Sequence, residues 1–405
     1  MGRRRAELAA RRRSRGLTQE SLAAQLQVER TTVARWEAGD TAPMPWARPL
    51  LAQLLDITVD HLDALLTNNS TPPQTPETGG TESDLPTGPV IPAPRRASRA
   101  DIAAMNVMAE AFARTDHQIG GGHASATVSH YLHQTVRPLL ADHTDDDVGR
   151  ALLVSAGRLH DLAGFMLFDA QHHESAQHHF AQALGLARAA ENDVLTAHIL
   201  GDMTMHAIQT GAVGQAVALS DGAVVHADRS DSGRVRARAA ALAARARAGA
   251  GDATGSDAMV WAAERALAQA PHDDDPAWIR FFNPAQLQTE FLYAACALGR
   301  TREVERLAPA VLITDSRMQR RHVLASAAIA GAFAPPASQA RGASHRAEPE
   351  RALQILAGVL PTVAHLSSPR ASASILAARG RLNGYGGLSG LDAFDRDLTR
   401  TIGAA

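Results

Sequence analysis

The sequence predicts an all-α chain in two parts: a small N-terminal bundle of five helices, then a disordered linker and a long array of helical hairpins. Three observations lead there. Apolar residues recur at helical intervals along most of the chain, which is the spacing of amphipathic helices. Alanine is abundant and aromatic residues make up only 4%, so small side chains that let helices approach closely are favoured over the bulky β-branched residues that a β-sandwich needs. The periodicity breaks between residues 67 and 98, in TNNSTPPQTPETGGTESDLPTGPVIPAPRRAS, whose Pro, Thr and Gly content reads as a linker between folded units. A chain of 405 residues with 45% apolar content exceeds one ordinary domain and can bury a large core.

In the N-terminal part, Ala6, Leu8 and Ala9 with the arginine-rich run to Arg15 read as a first helix stopped by Gly16. Thr18 can cap a second, in which Leu22, Ala23 and Leu26 line one face. A break follows near Gln27 and Val28. The third helix is expected from Arg30 to Ala38, with Val33 and Trp36 on the buried side and Arg30, Thr31, Thr32, Ala34 and Arg35 turned outward. Pro45 to Leu55 reads as a fourth helix, with Leu50, Leu51, Leu54 and Leu55 apolar, and Thr58 to Leu66 closes the bundle through Leu62, Leu65 and Leu66. Two guanidinium groups and two hydroxyls on one exposed helix face suit base edges and phosphates.

The run LTQESLAAQLQVERTTVARWEAG, residues 17–39, resembles the Cro/C1 (XRE) family of helix-turn-helix regulators, with its pattern L-T-Q-x-x-L-A, then V, then T-x-x-R-W-E-x-G. The resemblance extends from about Arg4 to Leu66. It implies a DNA-binding domain over residues 1–66 whose 30–38 helix enters the major groove of double-stranded operator DNA. Arg30 and Arg35 are then the candidates for guanine edges, and Thr18, Gln19, Thr31 and Thr32 complete the candidate DNA-contacting set. One position departs from the family: the turn glycine is Gln27 here, where a left-handed backbone costs a non-glycine residue about 1 kcal/mol and a slightly altered turn is expected. Charge agrees with a nucleic-acid partner. Residues 1–35 hold nine arginines against three glutamates, a net +6, although the whole chain is −2. Outer arginines such as Arg12 are expected to strengthen binding to all sequences alike.

Beyond the linker, residues 99–400 read as a repeat of helical hairpins. In residues 159–189, Ala163 and Gly164 supply small residues, a turn falls near Asp169 to His173, and Ala176, Phe180 and Ala183 share one face. This is the signature of the tetratricopeptide repeat, in which small residues let two helices meet and an aromatic fills the groove between hairpins. Further hairpins are expected at 196–227 (turning at Gly211), 234–269, 284–312 (turning at Gly299) and 321–360, the last split by a Pro/Gly/Ser-rich insert at 335–349. An open solenoid of this kind presents a concave inner surface to peptides or partner helices. The stretches ARTDHQIGGGHASATVSHYLHQTVRPLL and DDDPAWIRFFNPAQLQTEF resemble those of actinobacterial regulators that join a Cro/C1 head to a tetratricopeptide-like body. The resemblance implies a sequence-specific regulator that dimerises through the body and senses a peptide or protein partner in the groove. The alternative is an adaptor whose body recruits a partner protein to DNA without sensing.

Other features point away from chemistry. Gly120 to Gly122 lack the preceding strand and the GKS/T ending of a phosphate loop and read as a flexible connection. His172, His173, His178 and His179, and His117, His123, His130 and His133, form two clusters without a convergent ligand pattern, so no metal is expected. Asp145 to Asp147 and Asp273 to Asp275 read as helix starts, Asp275–Pro276 and Asn283–Pro284 as cap and first helical residue. Cys296, the single cysteine, sits in the apolar FLYAACALG and suits a buried inert thiol. No catalytic residue, cofactor or membrane span is expected, and the chain is expected in the cytoplasm.

Overall fold

The computed structural model describes residues 5–15, 17–26, 28, 30–39, 41, 43, 48–55, 57, 62, 65–66, 96–141, 145–269, 275–313, 318–335 and 347–403. Among these there is helix and no strand. The chain divides into two compact units, residues 1–89 and 90–405. The expected linker lies outside the described residues as far as residue 95, as do Gly16, Gln27, Pro45 and most of 335–349.

The first unit contains α1 (Ala6–Ser14), α2 (Gln19–Gln25), α3 (Arg30–Ala38) and α4 (Arg48–Leu55). Of the expected fifth helix only Leu62, Leu65 and Leu66 are described, and all three are buried. They join Leu8, Leu22, Leu26, Val33, Trp36 and Leu55 in one core. The three-residue interval between Val33 and Trp36 puts both on the inner face of α3, so the residues between and before them face outward by helical geometry.

The second unit opens with α5 (Arg99–Ile119), begun by a reciprocal capping box between Ser98 and Asp101. After α6 (Ser125–Tyr131), a π-helical turn at 132–136 and the short α7 (Arg137–Leu140), five helical hairpins follow among the described residues. They are α8 (Asp147–Asp169) with α9 (His173–Ala189), α10 (Asp193–Gln209) with α11 (Val213–Asp228), and α12 (Gly233–Gly249) with α13 (Ala253–Ala268). Then come α14 (Pro284–Ala297) with α15 (Thr301–Val311) and α16 (Gln319–Phe333) with α17 (Pro349–Val363). Beyond the last hairpin expected from the sequence lie α18 (Pro369–Arg381) and α19 (Leu391–Gly403), and α19 packs on α17. Asp146, Asn192, Ser232, Asn283 and Ser368 each cap the helix that follows through a side-chain oxygen. Gly164 earns its place by close approach: a Cβ there would lie 2.7 Å from the Phe180 ring. Helix α8 is long and apolar enough to cross a membrane by length and composition alone, but most of it is buried in the packed array.

An open concave solenoid was expected, and the structure differs. The first helices of the hairpins pack in order from α8 through α10, α12 and α14 to α16; α18 packs on α16 and returns to touch α8. The ring is closed by charge. Asp169, fully buried at the end of α8, accepts from the Gly121 amide (2.9 Å), the Ser368 hydroxyl (2.9 Å) and Arg370 Nε (3.0 Å), and pairs with Arg320 at 3.1 Å. Arg320 in turn grips Asp116 on α5 through both terminal nitrogens, at 2.6 and 2.7 Å. The Gly120–Gly122 stretch is therefore no flexible connection. It is the clasp of the ring: a Cβ on Gly121 would lie 2.4 Å from the Met166 carbonyl oxygen, and the Gly122 amide donates to Ser367. Asp275 also departs from its expected role as a cap. It is buried, paired with Arg234 at 2.9 Å, and ties the segment before α14 to α12.

Candidate functional site

The first candidate site is the outer face of α3. Thr18 sets its neighbour in place: its hydroxyl accepts from the Ser21 amide at 2.9 Å and starts α2. Gln19, on the first turn of α2, spans to α3, its amide nitrogen donating to Glu37 (2.7 Å) and its oxygen facing Arg30 Nη1 at 3.5 Å. Glu37 also receives Arg12 at 2.7 Å. The sequence-predicted residues are thus brought together on α2 and α3, with Arg30, Thr31 and Arg35 exposed and Thr32 half-buried. Gln19 is half-buried and acts as a strut between the helices. A polar face carrying two exposed guanidinium groups, on a helix anchored by Val33 and Trp36, can meet phosphates and base edges.

The arginines of α1 are mostly spoken for. Arg12 is only 8% exposed, held by Glu37 and the Leu17 carbonyl, so it is a core ion pair and not the outer arginine the sequence suggested. Arg5 donates to the carbonyls of Leu66, Trp36 and Thr41, and Arg11 to that of Leu55. Their positive charge is largely spent inside the unit.

The second candidate site is a cavity of about 540 Å³ within the ring of inner helices, open to solvent on part of its surface. Aromatic side chains face it from α8 (Phe165), from the segment before α14 (Trp278 and Phe281) and from α14 itself (Tyr293). Arg245 lies over the Tyr293 ring at 4.2 Å and pairs with Glu290 at 3.1 Å. Burial pushes the Tyr293 hydroxyl upward and the Cys296 thiol up to about 12. A thiol held protonated is a poor nucleophile, but Cys296 is half-buried and lines the cavity, where the sequence led one to expect a buried thiol.

One group in this cavity was not foreseen. Asp161 on α8 and His198 and Asp202 on α10 bring their ligand-type atoms within 4.8 Å of one another. His198 Nε2 lies 3.4 Å from Asp161 and 3.6 Å from Asp202. Arg238 is bonded to Asp202 on the other side. Burial pushes Asp161 well above the usual carboxylate range, and the neighbouring Asp202 adds to this; burial, with Arg238 and Arg158, pushes His198 down. By geometry the three could hold a divalent ion. Arg238, bonded to Asp202, already supplies a positive charge beside the two carboxylates. Its only local sign in the sequence is the i, i+4 spacing of His198 and Asp202. The histidine clusters singled out from sequence do not converge: His160 meets His179 at 3.1 Å and His173 meets His206 at 3.3 Å, as pairs.

The first unit carries a helix-turn-helix domain: residues 5–65 match the family model described as a helix-turn-helix domain. A domain of that class suggests DNA binding and a part in transcription regulation. Neither the comparison with curated proteins nor that with solved structures returned a match.

Proposed function

We propose that this chain is a sequence-specific transcription regulator of Cro/C1 type that enters the major groove with α3. The observation that carries it is the outward set Arg30, Thr31 and Arg35 opposite the buried Val33 and Trp36. In this reading Arg35 and Arg30 contact guanine edges, Thr31 and Thr32 contact phosphates or adjacent bases, and Gln19 aims Arg30. Thr18 acts by capping α2, which presents the amide end of that helix to the backbone. Genome-wide capture of DNA bound by the full chain supplies the cognate site, and fluorescence anisotropy then measures it against random duplex. Arg35→Ala is expected to cost about 1–3 kcal/mol on the cognate site and little on random DNA. Equal loss on both removes Arg35 from the reading set.

A single reading head covers one half-site, so useful affinity calls for two. We therefore place a homodimer on DNA, joined through the second unit, in the cytoplasm. A monomer by light scattering at working concentrations, with and without operator, would exclude it. The second unit is in this reading a closed variant of the tetratricopeptide array that couples ligand occupancy to the heads through the linker at 67–98, a change of relative placement that alters their fit to two half-sites.

A further inference from the structure

The cavity lies within the second unit, and three features of its wall belong together. The first is charge. Seven arginines line it against four carboxylates, with Asp169 behind Arg320 and Arg370 as a fifth. Arg238, Arg245, Arg320 and Arg370 are ion-paired. Among the described residues no carboxylate stands at ion-pair distance from Arg158, Arg321 or Arg381. Arg158 donates to the Asn106 side chain (3.1 Å), Arg321 to Gln286 (3.4 Å) and Arg381, near the outer surface, to the Gly331 carbonyl (2.9 Å). Uncompensated guanidinium groups in a partly desolvated wall attract an anion far more strongly than they do in open water.

The second feature is unmet hydrogen bonding. Among the described residues six buried side-chain atoms have no partner, and three of them, Arg321 Nε, His198 Nδ1 and Asp161 Oδ1, belong to residues that line this cavity. Buried polar atoms are nearly always satisfied; of the three, Arg321 Nε is an N–H donor of the kind an anion's oxygen meets, while Asp161 and His198 belong to the carboxylate–histidine group. The third feature is an aromatic surface on one short segment. Trp278 lies under Arg158, 5.6 Å from guanidinium carbon to ring centroid, and Phe281 under Arg238 at 5.9 Å. His198 meets Trp278 edge-on at 4.7 Å. Five residues beyond Phe281, Gln286 holds Arg321. Buried Asp275 and the Asn283 cap fix both ends of this segment.

We propose that the cavity binds a small organic anion with an aromatic or otherwise apolar body, its anionic group met by Arg321 and Arg158 and its body resting on Trp278 and Phe281. A volume of about 540 Å³ is that of a metabolite-sized site, and it replaces the peptide groove expected from an open solenoid. The regulatory meaning of this binding rests on the reading of the second unit as a sensor; the binding itself does not.

Isothermal titration of the full chain without DNA tests it, using anilinonaphthalenesulfonate as an aromatic anion and phenylnaphthylamine as its uncharged counterpart. One sulfonate per chain is expected, bound at least tenfold more tightly than the amine. Arg321→Gln is expected to weaken the sulfonate at least tenfold and leave the amine unchanged. Arg321 has one long side-chain hydrogen bond, so its variant should keep the melting temperature; Arg158→Gln is the second variant, with the same expectation for the two probes. Equal affinity of the two probes, no binding of either, or undiminished sulfonate binding in both variants overturns the proposal. Since no DNA is present, that failure is separate from any failure of operator recognition.

Discussion

Asp169 gives the sharpest test of how the second unit is held. It is fully buried and receives four donors from three parts of the chain: Gly121, Ser368 with Arg370, and Arg320. Asp169→Ala removes the acceptor and leaves Arg370, 7% exposed, with no carboxylate among its described hydrogen-bond and ion-pair partners, while Arg320 keeps Asp116. Breaking a buried pair by deleting one partner costs about 3–5 kcal/mol, because the surviving charge stays desolvated. The four bonds are not additive, so their separate values of about 1.5–3 kcal/mol each do not sum. For a unit of this size the expected fall in melting temperature is roughly 5–8 °C.

Far-UV circular dichroism of the full chain during heating and in urea measures it, because most helical residues lie in the second unit. The acid limb supplies an independent check. Burial opposes ionisation of Asp169, but Arg320 and Arg370, with Gly121 and Ser368, outweigh it and hold the carboxyl below its usual range. A carboxylate whose folded pKa is depressed contributes stability that is complete above its unfolded pKa, about 3.9, and is lost as pH falls through the lower folded value. The difference in stability between wild type and Asp169→Asn should therefore be full at neutral pH and shrink below about pH 4. A loss under 1 kcal/mol in Asp169→Ala, or a difference that does not shrink in acid, would refute the clasp as a source of stability.

Three other outcomes follow from single contacts. Arg12→Ala should destabilise the first unit by about 3 kcal/mol through the orphaned Glu37, read as loss of cooperative melting, and abolish binding to every DNA sequence for that reason; a folded, merely weaker binder would restore Arg12 as a phosphate contact. Glu191→Gly should stabilise the chain by about 0.5 kcal/mol, since Glu191 sits at φ +50° between α9 and α10, where glycine avoids the side-chain clash but loses more backbone entropy; a lower melting temperature contradicts this. Cys296, with its thiol pushed up to about 12, should react with a neutral disulfide reagent at pH 8 at least a hundredfold more slowly in the native chain than in urea; comparable rates would show that the thiol is not held protonated.

Local periodicity made the first unit legible. The cap at Thr18, the α3 limits and the inward pair Val33 and Trp36 depend on intervals of three or four residues, and such intervals are decided by helix geometry alone. The same held for the hairpin turns at Gly211 and Gly299; Phe180, expected in the groove between hairpins, packs instead on Gly164 of its own hairpin. What an arginine does was not legible. The sequence counts nine positive charges before residue 36, but whether a guanidinium faces water or a buried carboxylate is set by a partner such as Glu37, 25 residues from Arg12.

By itself, then, the sequence determined that this protein is helical, that its first unit carries a capped helix pair with a polar outer face, and where most hairpins turn. Only the tertiary structure decided that the array closes on itself. The bonds that close it join Asp116 to Arg320 across 204 residues and Asp169 to Arg370 across 201, and no local pattern encodes a pairing at that range. Closure of the ring brings side chains from α8, α10, α14 and α16 around one partly open volume whose charge and shape exist only when all are in place.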